Sequence, residues 1–347
     1  MARMKIEVQA ARAEKRGLTL HDRLVGWLPR YAPFAAQRPW LFNLRNGSAT
    51  LRKVSELFAG FSRQRSLPKW RGDTYQDRSA WSYSAGSGAD TSRDVVLFAD
   101  TFNRYFEREN LDAAVRVLVA GGYRVHALLP RDDEERPLCC GRTFLAVGQI
   151  GEAKREMERT LAALTPYLAR GMPVIGLEPS CLFTFRDEMH ALINTETADK
   201  LASQALLLEE FLAREQSQSR LNLPLGALRR KALLHGHCHQ KAFDAMGAVE
   251  RVLKLVPGLA VDTVESSCCG MAGAFGYDKA TIDVSLKMGE LSLLPVVRKA
   301  PDDALIVADG TSCRHQIHDG SGRTATHVAR VLAMSLDAAG PVEAATS

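Results

Sequence analysis

Apolar positions in this chain change their period twice. Over residues 1–66, Leu18, Leu20, Leu24, Val25 and Leu28 recur at roughly helical spacing, and Thr19 or His21-Asp22 can open that helix. Pro33 and Pro39 are expected to break the pattern, and a second helix is expected over Ala49–Phe61. Over residues 72–93 the periodicity lapses into Gly, Ser and Asp, which reads as a linker or long surface loop. Beyond it, short apolar runs alternate with amphipathic stretches. Expected strands are Val95–Phe98, Arg124–Leu129, Pro173–Leu177, Ala232–His235, Ala260–Val264 and Ala304–Ala308. Expected helices are Asn110–Ala120, Glu152–Leu168, Ala245–Val256 and Ala280–Leu294. Strands alternating with helices predict an α/β architecture with parallel sheets flanked by helices.

The second half repeats the first. Asp94–Asp100 falls on Ala232–Cys238, Cys139-Cys140-Gly141 on Cys268-Cys269-Gly270, and Leu177–Cys181 on Asp309–Cys313. The predicted organisation is a helical segment over 1–71, a linker over 72–93, and two copies of one α/β unit over 94–226 and 227–340. In each copy the cysteines follow strands, at the ends where open parallel sheets bind ligands.

These two matching groups plus Cys238 account for all seven cysteines. An odd count with adjacent pairs fits disulfide pairing poorly and points to thiolate–metal chemistry in a reducing compartment. In the second unit, Cys238, Cys268, Cys269 and Cys313 supply four thiolates from three loops, the number of soft ligands an iron–sulfur cluster requires. The alternatives are a zinc site or four buried structural cysteines, but the CxxC spacing usual for zinc is absent. Gly270 suits a sharp turn close to a cluster, and Gly270–Gly276 can direct backbone N–H groups at its sulfurs. The first unit has Cys139, Cys140 and Cys181, with Asp100 in the place given to Cys238. Either Asp100 is a harder fourth ligand, or this half has lost its cluster or binds something else. His235, His237 and His239 are expected on one strand face opposite Cys238, as ligands or proton donors, or as buried and satisfied residues. His315 and His318 present the same choice. Arg142 either balances cluster charge or faces solvent.

Charge and composition add limits. The net charge of +5 conceals 15 Lys/Arg against 4 Asp/Glu in residues 1–72, a local excess of +11. That segment either docks on an acidic partner or anionic membrane surface, or is a solvated basic face. The first residues lack the apolar core of a signal peptide, and no run of about 18 apolar residues is present. Gly86-Ser-Gly-Ala-Asp-Thr is no dinucleotide fingerprint, because it follows no strand and lacks a third glycine. P-loop, GxSxG, HExxH and ferredoxin-type CxxCxxC signatures are missing, and nothing points to nucleic acid.

The paired Cys-Cys-Gly triplets, each with a trailing cysteine, resemble the cysteine-rich (CCG) domains of the heterodisulfide reductase B subunit. Such domains also occur in the glycolate oxidase iron–sulfur subunit, the anaerobic glycerol-3-phosphate dehydrogenase C subunit and lactate-utilisation iron–sulfur proteins. Phe98–Glu107 with Cys139-Cys140-Gly141-Arg142 is similar to the carboxyl-terminal part of large FAD-linked D-lactate/2-hydroxyacid dehydrogenases. Met1–Glu7 resembles the stretch after their last ferredoxin-type Cys-Pro. The resemblance implies a chain without the flavin and ferredoxin parts: a split subunit, a truncated gene or a mis-assigned start. It implies a 4Fe-4S type cluster here, FAD on a partner or missing domain, a ferredoxin-like domain or subunit alongside, and a quinone or cytochrome acceptor. A cytoplasmic protein, peripheral on the inner face of the membrane, is the matching location. The same resemblance leaves room for a heterodisulfide reductase-like reductase or a cluster-free scaffold.

Overall fold

Strands of two to four residues, most of them apolar, are enough for sheets that helices cover on both faces. The structure, a computed structural model, describes residues 2–77, 93–134 and 136–340. β1 (Asp94–Leu97), β2 (Arg124–Ala127), β3 (Val174–Gly176) and β4 (Ala205–Leu207) form one sheet in the order β2-β1-β3-β4. β5 (Lys231–Leu234), β6 (Ala260–Thr263), β7 (Leu305–Val307) and β8 (Ala325–Thr326) form a second in the order β6-β5-β7-β8. All pairings are parallel. The α/β class, the parallel sheets and the duplication read from the sequence are therefore present.

Five helices precede the sheets: α1 (Ala2–Arg16), α2 (Leu20–Gly26), α3 (Leu28–Gln37), α4 (Pro39–Gly47) and α5 (Ala49–Ala59). Thr19 opens α2 through a capping box with Asp22, and Gly60, at φ +73°, ends α5. Pro39 starts α4, but Pro33 lies inside α3 rather than ending it. Its missing hydrogen bond is offset where Ala32, Ala35 and Ala36 pack in one cluster with Trp70 and Tyr105.

In the first unit α6 (Thr101–Tyr105), α7 (Arg108–Ala120), α8 (Arg142–Ala146), α9 (Ile150–Leu168), α10 (Pro179–Arg186), α11 (Glu188–Leu192), α12 (Glu196–Gln204) and α13 (Leu208–Ser217) surround the sheet. In the second, α14 (Cys238–Ala242), α15 (Met246–Leu253), α16 (Ile282–Glu290), α17 (Leu293–Lys299), α18 (Thr311–Ser321) and α19 (Val328–Ala338) do so. The single helix expected over Ala280–Leu294 is two, because Pro295 would clash with the Leu291 carbonyl in one continuous helix. The edge strands β4 and β8 escaped sequence reading; three and two residues are too few for a period to show.

The units are interlocked. α19 returns to pack on α7, and α13 packs on α15. One apolar cluster runs through both, joining Val95, Leu111 and Phe211 to Leu234, Val249 and Leu332. Of the expected linker, residues 78–92 lie outside the described residues. Thr74 and Tyr75 before them are buried, and Asp77 pairs with Arg104 at 2.6 Å. Among the described residues, no helix is long and apolar enough to cross a membrane.

Candidate metal centre

The seven cysteines lie at the carboxyl ends of the strands. Cys139 and Cys140 follow β2, Cys181 is the third residue of α10 after β3, and Cys313 is the third residue of α18 after β7. Cys238 opens α14 after β5, and Cys268 and Cys269 follow β6. None is paired in a disulfide.

Both CCG loops use the same device. Gly141 and Gly270 adopt left-handed φ of +83° and +93°, which turns the chain so that their own N–H groups donate to Cys139 Sγ (3.4 Å) and Cys268 Sγ (3.3 Å). Neither tolerates a side chain: a methyl group would lie 2.8 Å from the Ala153 carbonyl oxygen or 2.3 Å from that of Ser285. After Gly270, Ala272 and Gly273 are also left-handed, so this loop holds strained backbone beside Cys269.

In the second unit Cys269 and Cys313 converge with His235, and Cys238 converges with His237 and His239, the ligand atoms of each group lying within 4.8 Å of one another. The bond from Cys238 and that from Cys269 draw Cys268 far down, with the Gly270 N–H assisting. Cys313 is drawn down by Cys269 and then by His235 and His237. Their neighbouring thiols and burial push Cys238 and Cys269 up. Thiols and imidazoles brought this close are donors suited to metal once deprotonated.

The first set is sealed. Cys139, Cys140 and Cys181 are at most 3% exposed. Hydrogen bonding to Cys140 and burial raise Cys139, and burial raises Cys140. At Cys181 the bond from Cys140 lowers, but burial and the charges of Asp100 and Glu178 prevail and push it up to about 12. Asp100 is buried and caps α6: Oδ1 accepts from the N–H of Phe102 and Asn103, both 3.0 Å, and Oδ2 from Asn103 Nδ2 at 2.7 Å. Burial and then Glu178 push its carboxyl up to about 6.

The strand and cap positions also correct the repeat by one residue. β1 and β5 begin at Asp94 and Lys231, and the helix caps that follow are Asp100 and His237. Thr101, not Asp100, therefore stands where Cys238 does. A one-residue slip is invisible in a short apolar run but not in a helix cap.

The histidines do not share one strand face, because β5 ends at Leu234. His235 brings a ring nitrogen within 4.8 Å of Cys269 and Cys313, while its Nδ1 meets Ser266 Oγ at 2.8 Å. His237 caps α14, and its ring stacks on that of His239. Burial, then His237 and Arg142, push His239 down to about 3, so its ring is neutral. Arg142 pairs with Glu188 and places Nη2 3.3 Å from His239 Nε2, which joins the first CCG loop to the second unit. His315 Nδ1 meets the Tyr277 hydroxyl at 2.9 Å.

Two residues had no sequence signal. Glu178 caps α10 through Ser180 and also accepts from the Thr311 N–H at 2.8 Å, so one carboxylate serves helix starts in both units. Arg65, 2% exposed, reaches from the amino-terminal segment to Met271 and the charge field of Cys269. Its Nε and Nη2 have no hydrogen-bond partner, and Asp319 is no nearer than 3.9 Å. Two buried guanidinium nitrogens without acceptors are costly. His235 Nε2, in the same place, also lacks a partner. The unmatched Arg65 N–H groups beside these thiols are what an anionic metal–sulfur group would satisfy, so the residues fit one.

A cavity of about 320 Å³ opens beside Cys238, Cys268 and Cys269. Its far wall is Leu24, Leu28, Tyr31, Trp70, Phe102 and Phe106, and the first set of cysteines does not line it.

Fold and site together define a duplicated CCG protein with a thiol-rich centre in its second unit. No family model matches the chain. It is 25% identical over 337 residues to the C subunit of the anaerobic glycerol-3-phosphate dehydrogenase of Escherichia coli, covering 96% of this chain and 80% of that one. It is 25% identical over 324 residues to the D-2-hydroxyglutarate dehydrogenase of the same organism, covering 90% of this chain but only 30% of that protein. Lactate utilization protein A of Bacillus subtilis is 26% identical over 252 residues, 69% of this chain and 98% of that one. The resemblance carried by the triplets thus extends along most of the chain, at about one residue in four identical.

Proposed function

We propose that this chain is the iron–sulfur electron-transfer component, or carboxyl-terminal portion, of an FAD-dependent 2-hydroxyacid dehydrogenase, with D-lactate or glycolate as substrate class. The convergence of Cys269 and Cys313 with His235 and of Cys238 with its flanking histidines, with two unpartnered Arg65 nitrogens nearby, carries this reading. These cysteines would hold a 4Fe-4S type cluster, which supplies one-electron storage when bound. Arg65 and His235 offset its negative charge. Cys269 and Cys313 are buried, whereas Cys238 is exposed and Cys268 half-buried, so the cavity reaches one side of the centre.

FAD belongs to a partner subunit or domain, and a ferredoxin-like domain or subunit relays the electrons. The terminal acceptor is a quinone or a cytochrome. This chain alone would oxidise no 2-hydroxyacid. In the first unit Cys139, Cys140 and Cys181 lack a free fourth donor, since both Asp100 oxygens are engaged as a helix cap. That supports a single cluster in the chain.

The amino-terminal helices supply a membrane-facing side. They combine the excess of +11 with exposed Phe34, Trp40, Leu41, Leu44, Leu57 and Phe58, a mixture suited to an anionic bilayer surface.

The test is iron and acid-labile sulfide per chain after anaerobic reconstitution, on wild type and Cys269→Ser. About four irons, falling sharply in the variant, is the expected result for one cubane-type cluster. About eight would mean that both halves are loaded. No iron in either protein would refute the reading.

A further inference from the structure

The loop that carries Cys268 and Cys269 is held by side chains. Among the described residues, 265–269 take part in no backbone–backbone hydrogen bond, so their polar groups need other partners. Two side chains from the segment around Cys238 supply them. His235 Nδ1 meets Ser266 Oγ at 2.8 Å. The Lys241 ammonium donates to the carbonyl of Ser266 and, at 3.3 Å, to that of Ser267, the residue before Cys268. Lys241 lies in the last turn of α14, the helix that Cys238 opens. One short helix therefore supplies a cysteine at its start and a tether for two more at its end.

The first unit holds its loop without a charge. Aligned on the helix caps Asp100 and His237, Arg104 stands in the place of Lys241 and Ala99 in that of Gly236. Arg104 turns elsewhere: it donates to the carbonyls of Tyr75 and Ala99 and pairs with Asp77. The first CCG loop is tethered by the Thr160 hydroxyl, which donates to the Cys139 carbonyl at 2.9 Å. In the second unit Gly236 leaves Lys241 room to cross. A methyl there would lie 3.0 Å from Lys241 Cε and 2.3 Å from Met246 Sδ. Among the described residues Lys241 pairs with no carboxylate, so its charge is free to act on the exposed Cys238 and half-buried Cys268.

We propose that Lys241 is a positioning residue of the thiol-rich centre: it fixes the loop of Cys268 and Cys269 against Cys238 and sets a positive charge beside sulfurs that become anionic on binding metal. The proposal rests on the electron-transfer reading above and adds to it a residue that holds no metal itself. A cation there favours the reduced, more negative state of the centre, so its loss lowers the midpoint potential.

The experiment compares wild type with Lys241→Met, which keeps a long stem without charge, and Lys241→Arg, which restores charge and donors. Alkylation of buried Cys269 by iodoacetamide is followed by mass spectrometry in the metal-free proteins, with Cys140 as internal control. Midpoint potential and iron are measured after anaerobic reconstitution. Lys241→Met should alkylate at Cys269 about tenfold faster, because the loop opens more often, with Cys140 unchanged. Its reduction equilibrium should weaken about tenfold, which is about 59 mV for one electron. Lys241→Arg should restore most of both. An unchanged rate at Cys269 overturns the positioning role, and a rate that rises equally at Cys140 does the same. Faster alkylation with an unshifted potential overturns the role of the charge and leaves the cluster reading standing. Wild type that takes up no iron fails the cluster reading, and the alkylation rates then decide the tether alone.

Discussion

Replacing Gly270 by alanine tests how the CCG loop is made. Gly270 has φ +93°, and an added methyl would sit 2.3 Å from the backbone oxygen of Ser285. Two costs add. The left-handed backbone costs an L-residue about 1–2 kcal/mol. Forcing the α16 backbone away adds about 1–3 kcal/mol, as overpacking does. Gly270→Ala should therefore lose about 3 kcal/mol, roughly a 150-fold drop in the folding constant. Gly273, three residues on, is the internal control: φ is +66° but nothing lies within 4 Å of the added methyl. Gly273→Ala should lose only about 1 kcal/mol. Urea unfolding of the metal-free proteins, followed by far-UV circular dichroism, measures both. If the two variants are equally stable, the close approach to Ser285 is not what fixes a glycine here, and the geometric account of the triplet fails.

Asp100 should make stability depend on pH. Its carboxyl is raised to about 6 by burial and Glu178, so its contribution is fully present below its unfolded value near 3.8 and is lost as pH rises through about 6. Asp100→Asn should flatten the unfolding free energy between pH 4 and 6, where wild type loses up to about 1.4 kcal/mol per unit; an unchanged slope refutes the assignment. Arg65→Met should leave the metal-free protein as stable or more so, because it removes an unmatched buried charge. In reconstituted protein the same change should lower the midpoint potential by about 60 mV or more, read by redox titration of the visible band, and a rise would contradict charge compensation. Flotation with anionic vesicles should capture the protein at low salt and release it as salt rises. Arg52→Glu with Lys53→Glu should weaken capture by about 1 kcal/mol per charge removed, and indifference to both would exclude the membrane-facing side.

The sequence alone determined the architecture and the position of the chemistry. Strand runs such as Val95–Leu97 and Ala232–Leu234 are buried on both faces, so they read as unbroken apolar stretches. Parallel order then placed every cysteine after a strand, at the end where loops meet. The CCG glycines were legible because one residue type alone fits a left-handed turn with no room for a Cβ. Tertiary structure decided what depends on distance rather than spacing. Only packing could show that Thr101 matches Cys238, since a helix cap fixes the register that apolar identity leaves free. Only packing brings Arg65 to Cys269 and Glu178 to Thr311 across more than a hundred residues, because chain separation carries no record of contact. It also decides which cysteine set meets a cavity: both sets carry the same triplet, and the amino-terminal helices leave open space beside the second alone.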